Sequence, residues 1–203
     1  MKKDAKLQAE KIVRHVLKDK NYLLKLLEGV VAKEDSVRYP NALALEILSK
    51  ENPKIIYPKW NVFADLLKSK NAYHKSIAIS TISNLTSIDE KNRFEGIFEE
   101  FFKLLDDKSV IVSRKLAIYV GKIATAKPSL RAKITKILLN IDNTQHSSSR
   151  KDLIKGDIIE SFSEYFKYIN NKNEIIEFVK NQLKSSSPST VKKAKEFLSR
   201  WEK

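Results

Sequence analysis

Between Lys108 and Asp142 the chain reads KSVIVSRKLAIYVGKIATAKPSLRAKITKILLNID. Its first half sets Leu116, Ala117, Val120, Ile123 and Ala124 at three- and four-residue steps, the period of one helix face. Arg114, Lys115 and Lys122 fall on the opposite side. Lys127-Pro128 then interrupts the pattern, because proline disfavours helical geometry in the residue before it and fits the first turn of a new helix. Beyond the break Leu130, Ile134, Ile137, Leu138 and Ile141 share a face, and Lys133 and Lys136 point away. The pattern predicts a helical hairpin.

Variants of this hairpin are predicted along the rest of the chain. Residues 4–18 form an amphipathic helix through Ala9, Ile12, Val13 and Val16, and the leucine-rich stretch 21–31 is its partner. Glu34-Asp35-Ser36 is a turn and cap signal. A helix over 37–50 follows, with Pro40 in its first turn, then Asn52-Pro53 and a partner over 54–70 that Pro58 either begins or kinks. Helices over 73–85 and 89–106 precede the Lys108 hairpin. Asn143 to Ser149, polar and without apolar period, is predicted as the mobile connection. Helices over 151–169 and 173–184 make a last pair, and 189–201 a final unpaired helix with Trp201 on its apolar face.

Small residues recur at one place in every first helix: Ala9, Ala44, Ala78, Ala117, Gly156 and Ala194, at steps of 35, 34, 39, 39 and 38 residues. Each precedes apolar positions, such as Ile47 and Leu48 or Ile82 and Leu85, and lets a neighbouring helix approach closely. DSVRYPNALALEILSK (Asp35 to Lys50) and SRKLAIYVGKIA (Ser113 to Ala124) resemble first helices of the HEAT and armadillo families of α-helical repeats. The family's Asp and Arg ladder is kept in part, with Arg114 and Lys75 at one equivalent position and Asn41, Leu153 and Val191 there in other repeats. The resemblance implies an all-α, right-handed α-α superhelix. It would be a single short HEAT-like solenoid over 1–203, with repeats near 1–34, 35–70, 71–107, 108–144 and 145–186 and a capping helix over 187–203. It further implies a concave face made by the second helices and a role as a binding platform.

Composition narrows the chemistry. Hydrophobic residues make up 42% of the 203, and cysteine is absent, which excludes disulfides, thiolate metal sites and cysteine nucleophiles. No apolar run approaches the roughly 18 residues of a bilayer span, so a cytoplasmic protein without a membrane partner is expected. The formal net charge is +14, yet only seven of the 39 basic residues are arginine, the usual choice for bidentate phosphate recognition. From Lys108 to Lys155 eleven basic residues meet two acidic ones, whereas the preceding stretch 89–107 is acid-rich.

Candidate chemistry is sparse. His15, His74 and His146 fall in separate repeats without metal-ligand spacing, and Gly96 and Gly121 are isolated within helices, so neither a metal nor another cofactor is expected. Glu95 and Glu99, four apart beside an apolar face, match a solvated helix surface rather than a catalytic pair. Alkylpurine DNA glycosylases built from HEAT-like repeats would need a carboxylate beside an aromatic. Trp60 and Asp65 are the candidates here, about 140° apart around a helix. The expectation is therefore a non-enzymatic scaffold binding a protein partner, an acidic one favoured, with nucleic acid as the alternative ligand. Lys115, Lys122, Arg131, Lys133 and Lys136 are the candidate contacts, and any nucleic-acid binding through them would be backbone-directed and salt-sensitive.

Overall fold

Apolar periods of this kind stabilise helices only when their faces are buried together. A computed structural model describes residues 2–202, with side chains from Asp4 onward. Every regular element among these residues is helical. The chain forms two compact units, Met1–Glu90 and Lys91–Lys203. The boundary falls inside the third expected repeat, between its two helices.

The first unit contains α1 (Lys2–Lys18), α2 (Tyr22–Val30), α3 (Asp35–Glu51), α4 (Pro53–Ile56), α5 (Trp60–Leu66) and α6 (Ala72–Leu85). Helix α3 packs against α1, α2, α4 and α6, and α5 lies on α6. Leu26, Leu45, Leu48, Ile56, Phe63 and Ile79 fill its core. A buried polar link crosses that core: Asn84 Nδ2 donates to Ser49 Oγ at 2.9 Å. Asn71 caps α6 by accepting the Tyr73 amide at 2.9 Å.

Two elements differ from the sequence pattern. Helix α3 starts at Asp35, two residues early, so Pro40 is a buried interior residue rather than a first-turn one. The single helix expected over 54–70 is broken. Pro58 has no N–H to continue the ladder, and Tyr57–Lys59 form a 3₁₀ turn between α4 and α5. That turn seats the buried Trp60 against the Tyr57 ring at 5.8 Å and brings the Tyr57 hydroxyl to Asp89 Oδ1 at 2.6 Å.

The second unit contains α7 (Arg93–Lys103), α8 (Val110–Ala126), α9 (Arg131–Leu139), α10 (Ser148–Tyr165), α11 (Asn173–Asn181) and α12 (Pro188–Trp201). Helix α10 lies between α8 and α12, while α9 packs on α8 and neighbours α11. Leu116, Val120, Ile158, Phe162 and Phe197 are buried between them. The Trp201 ring packs 5.3 Å from Phe166, which in turn meets Phe197 at 5.0 Å.

The repeated small positions are buried without exception: Ala9, Ala44, Ala78, Ala117 and Ala194 have no exposed surface, and Gly156 is buried with them. The glycine is a steric requirement, since a Cβ there would lie 2.5 Å from Thr190 Oγ1 and 3.3 Å from Thr190 Cα on α12. The stretch expected to be mobile is instead tied down. The Gln145 amide donates to Asp106 Oδ1 at 2.8 Å, and α10 starts at Ser148 rather than Lys151.

Gly156→Ala should lower unfolding free energy in urea by about 1–3 kcal/mol through overpacking. Gly96→Ala, on α7 where a Cβ meets nothing within 4 Å, should raise it by about 0.5–1 kcal/mol through helix propensity.

Candidate functional site

The basic stretch 108–155 supplies the candidate contacts, so the destination of each charge decides what the surface offers. Asp157 is 1% exposed on α10 and takes Arg114 from α8 in a two-bond clasp, Nε at 2.6 Å and Nη2 at 3.2 Å. Lys193 from α12 reaches the same carboxylate at 2.9 Å and Glu160 at 3.1 Å. The Asp157 hydrogen bond raises the Arg114 pKa, so the guanidinium stays charged. Sequence reasoning missed Asp157. Its only signal is an acid directly after Gly156 in an otherwise apolar inner face.

Other cations of the stretch are also engaged. Lys127, buried at the helix break, donates to Asn92 Oδ1 at 2.9 Å and Glu95 Oε2 at 3.2 Å on α7 and its start. Arg131 donates to the Ala124 carbonyl at 3.0 Å and the Tyr168 carbonyl at 3.3 Å, and covers the Tyr168 ring. Lys155 pairs with Asp142 at 2.8 Å, and Lys151 donates to the Asp142 carbonyl at 2.7 Å. Lys133 pairs with Glu99 at 2.6 Å, but both side chains are more than half exposed, and such pairs contribute only about 0–1 kcal/mol. Glu95 and Glu99 therefore anchor cations of the next hairpin rather than each other.

Two open grooves flank α9. The larger, about 1150 Å³, runs between α9 and α11. Its charges balance: Arg131, Lys136, Lys155 and Lys184 against Asp142, Asp152, Glu174 and Glu177, among side-chain amides such as Asn140, Asn170 and Asn181. The smaller, about 560 Å³, lies between α9 and the end of α7. Lys136 lines both.

The five candidate contacts do not converge. Arg131 and Lys136 line the larger groove, and Lys133 and Lys136 the smaller. Lys115 and Lys122 sit on the outward side of α8 and line neither. Between those two lysines sequence reasoning overlooked Tyr119, whose ring has the Lys115 ammonium at 4.3 Å and the Lys122 ammonium at 4.8 Å.

The remaining candidates separate as well. Trp60 is 2% exposed in the core whereas Asp65 is on the exposed side of α5. His146, expected in a solvated loop, is buried with Nε2 at 3.0 Å from Ser113 Oγ and 3.3 Å from the Leu105 carbonyl oxygen. Among the described residues no group of three potential ligands could hold a metal, and no helix is long and apolar enough to cross a membrane.

Asp157→Ala should cost about 1.5–3 kcal/mol in urea unfolding, because it removes charge-assisted hydrogen bonds to Arg114, which is 40% exposed, and to Lys193, which keeps Glu160. Lys133→Ala should cost less than about 1 kcal/mol. Asp152 gives a pH signature. Burial acts to raise its pKa, but the Ser186 hydroxyl at 2.5 Å and amide at 2.9 Å, with the Ser185 hydroxyl and the Lys155 charge, together outweigh it and hold the carboxyl below its ordinary value. The stabilisation is complete above the unfolded carboxyl pKa of about 3.9 and is lost as pH falls through the lower folded value. Asp152→Ala should thus lose more stability at about pH 6 than at about pH 3, relative to the parent protein.

Comparisons with known proteins give fold information alone. No family model and no curated protein matches the sequence. A crystal structure of an engineered protein, a target of the Northeast Structural Genomics Consortium, is similar in fold with a TM-score of 0.52 at 17% identity, covering 98% of this chain and 88% of that one.

Proposed function

We propose that this chain is a non-enzymatic, HEAT-like interaction module that binds a protein partner, an acidic segment favoured, through the second helices of its C-terminal unit. The period of buried small residues, from Ala9 to Ala194, supports closely packed helical hairpins as the scaffold, and the resemblance to HEAT repeats implies their right-handed stacking. A cysteine-free chain fits work in the cytoplasm.

The observation that carries the reading is the placement of α9 between two open grooves. Side-chain amides in the larger one both donate and accept, which suits a polypeptide backbone. A polyphosphate laid along that groove would face the carboxylates of Asp142, Glu174 and Glu177 as well as the lysines. Lys136, which lines both grooves, has no carboxylate partner among the described residues and remains for an acidic partner.

Tyr119 between Lys115 and Lys122 favours a second reading, nucleic-acid binding on the outward face of α8. An aromatic ring beside cations is a pairing that single-strand binding uses.

A labelled acidic peptide pool and a labelled single-stranded RNA, each titrated across a salt series, separate the two. The interaction module binds the peptide pool, loses affinity in Lys136→Glu and is indifferent to Tyr119→Ala. RNA binding that falls steeply with salt and is lost in Tyr119→Ala would replace it with the second reading.

A further inference from the structure

The groove between α7 and α9 differs from its neighbour in charge and in floor. Phe102, Leu105 and Ile137 give it an apolar base, and Lys103, Lys133 and Lys136 stand around it. The one acid in its lining, Asp106, already accepts the Gln145 amide at 2.8 Å. Lys103 and Lys136 are exposed and have no carboxylate partner among the described residues. The Lys133–Glu99 pair is solvent-exposed on both sides and exchanges readily with a competing carboxylate.

We infer that this groove docks an acidic peptide segment carrying one apolar anchor side chain. The inference rests on the interaction-module reading and assigns it a site and a partner chemistry. The anchor covers Ile137 and the remaining exposed edges of Phe102 and Leu105, while flanking Asp or Glu side chains meet Lys103, Lys133 and Lys136. Charge complementarity selects this groove over the larger one, where four acids offset four bases and a net-acidic segment gains nothing. The apolar floor, where Ile137 is half-exposed above the buried Phe102 and Leu105, favours a peptide with an apolar side chain over a bare polyanion.

The probe is a fluorescein-labelled peptide of about ten residues, Asp and Glu around a single Leu. It is titrated into the full chain by anisotropy, alongside a Leu→Ala version. Lys103→Glu and Lys136→Glu test the groove, Lys184→Glu controls for the larger one, and circular dichroism confirms that each variant stays folded. The expected result is at least about tenfold weaker binding of the Leu→Ala peptide. Each groove substitution should weaken binding by about fivefold, and Lys184→Glu should not change it. Peptide binding that ignores Lys103→Glu and Lys136→Glu overturns the assignment of the groove and leaves the interaction reading standing. Equal binding of the Leu→Ala peptide overturns the anchor. Absence of peptide binding at low salt overturns the proposal, and RNA binding in its place overturns the interaction reading with it.

Discussion

The buried carboxylate of Asp157 is the constraint on which the C-terminal unit depends. It draws Arg114 from α8 and Lys193 from α12 onto α10, so three helices with no adjacency in sequence share one charge. A buried ion cluster adds little stability over well-packed apolar residues of the same volume, but removing one member is expensive. Its contribution is therefore to the arrangement: the carboxylate ties α8 and α12 to α10 through one cation from each. That arrangement also suits the close approach at Gly156 and at Gly121, whose amide donates to Ser161 Oγ at 3.0 Å across α8 and α10. The second helices, α9 and α11, are positioned by the layer thus fixed.

The same cluster changes the meaning of the charge. A stretch of eleven bases and two acids suggests an open positive patch. In the folded chain Arg114, Lys127, Arg131, Lys133, Lys151 and Lys155 make contacts with carboxylates, an amide or carbonyl oxygens within the protein. Much of the local positive charge braces one hairpin against the next. The candidate cations are also dispersed, with Lys136 on the ridge between two grooves and Lys115 and Lys122 around Tyr119 on another helix. A dispersed set of this kind suits a surface that reads a partner of particular shape better than a continuous track for a polyanion.

How far the sequence revealed this follows from the range of each interaction. Helix positions, the Lys127-Pro128 break and the buried small residues depend on neighbours within a few turns, and the apolar period displays them. Pro58 was ambiguous because beginning or kinking a helix uses the same residue, and only tertiary seating of Trp60 decides between them. Asn143 to Ser149 looked mobile because its partners, Asp106, Ser113 and Leu105, are some 30 to 40 residues away. Asp157 and Lys127 were illegible for the same reason. Lys133 and Lys136 are exposed and Lys115, Lys122 and Arg131 half-buried, and whether two helix faces share a groove depends on packing between helices, which no periodicity encodes.

The claim that the surface around α9 binds an acidic protein segment is tested most directly by locating the contact itself. Backbone amide resonances of the isotope-labelled chain, followed during titration with the anchored acidic peptide, give that location residue by residue. The account predicts perturbations concentrated over 101–106 and 131–144, with the outward face of α8 unchanged. Perturbations centred on Lys115, Tyr119 and Lys122, with the residues of both grooves unmoved, would contradict it.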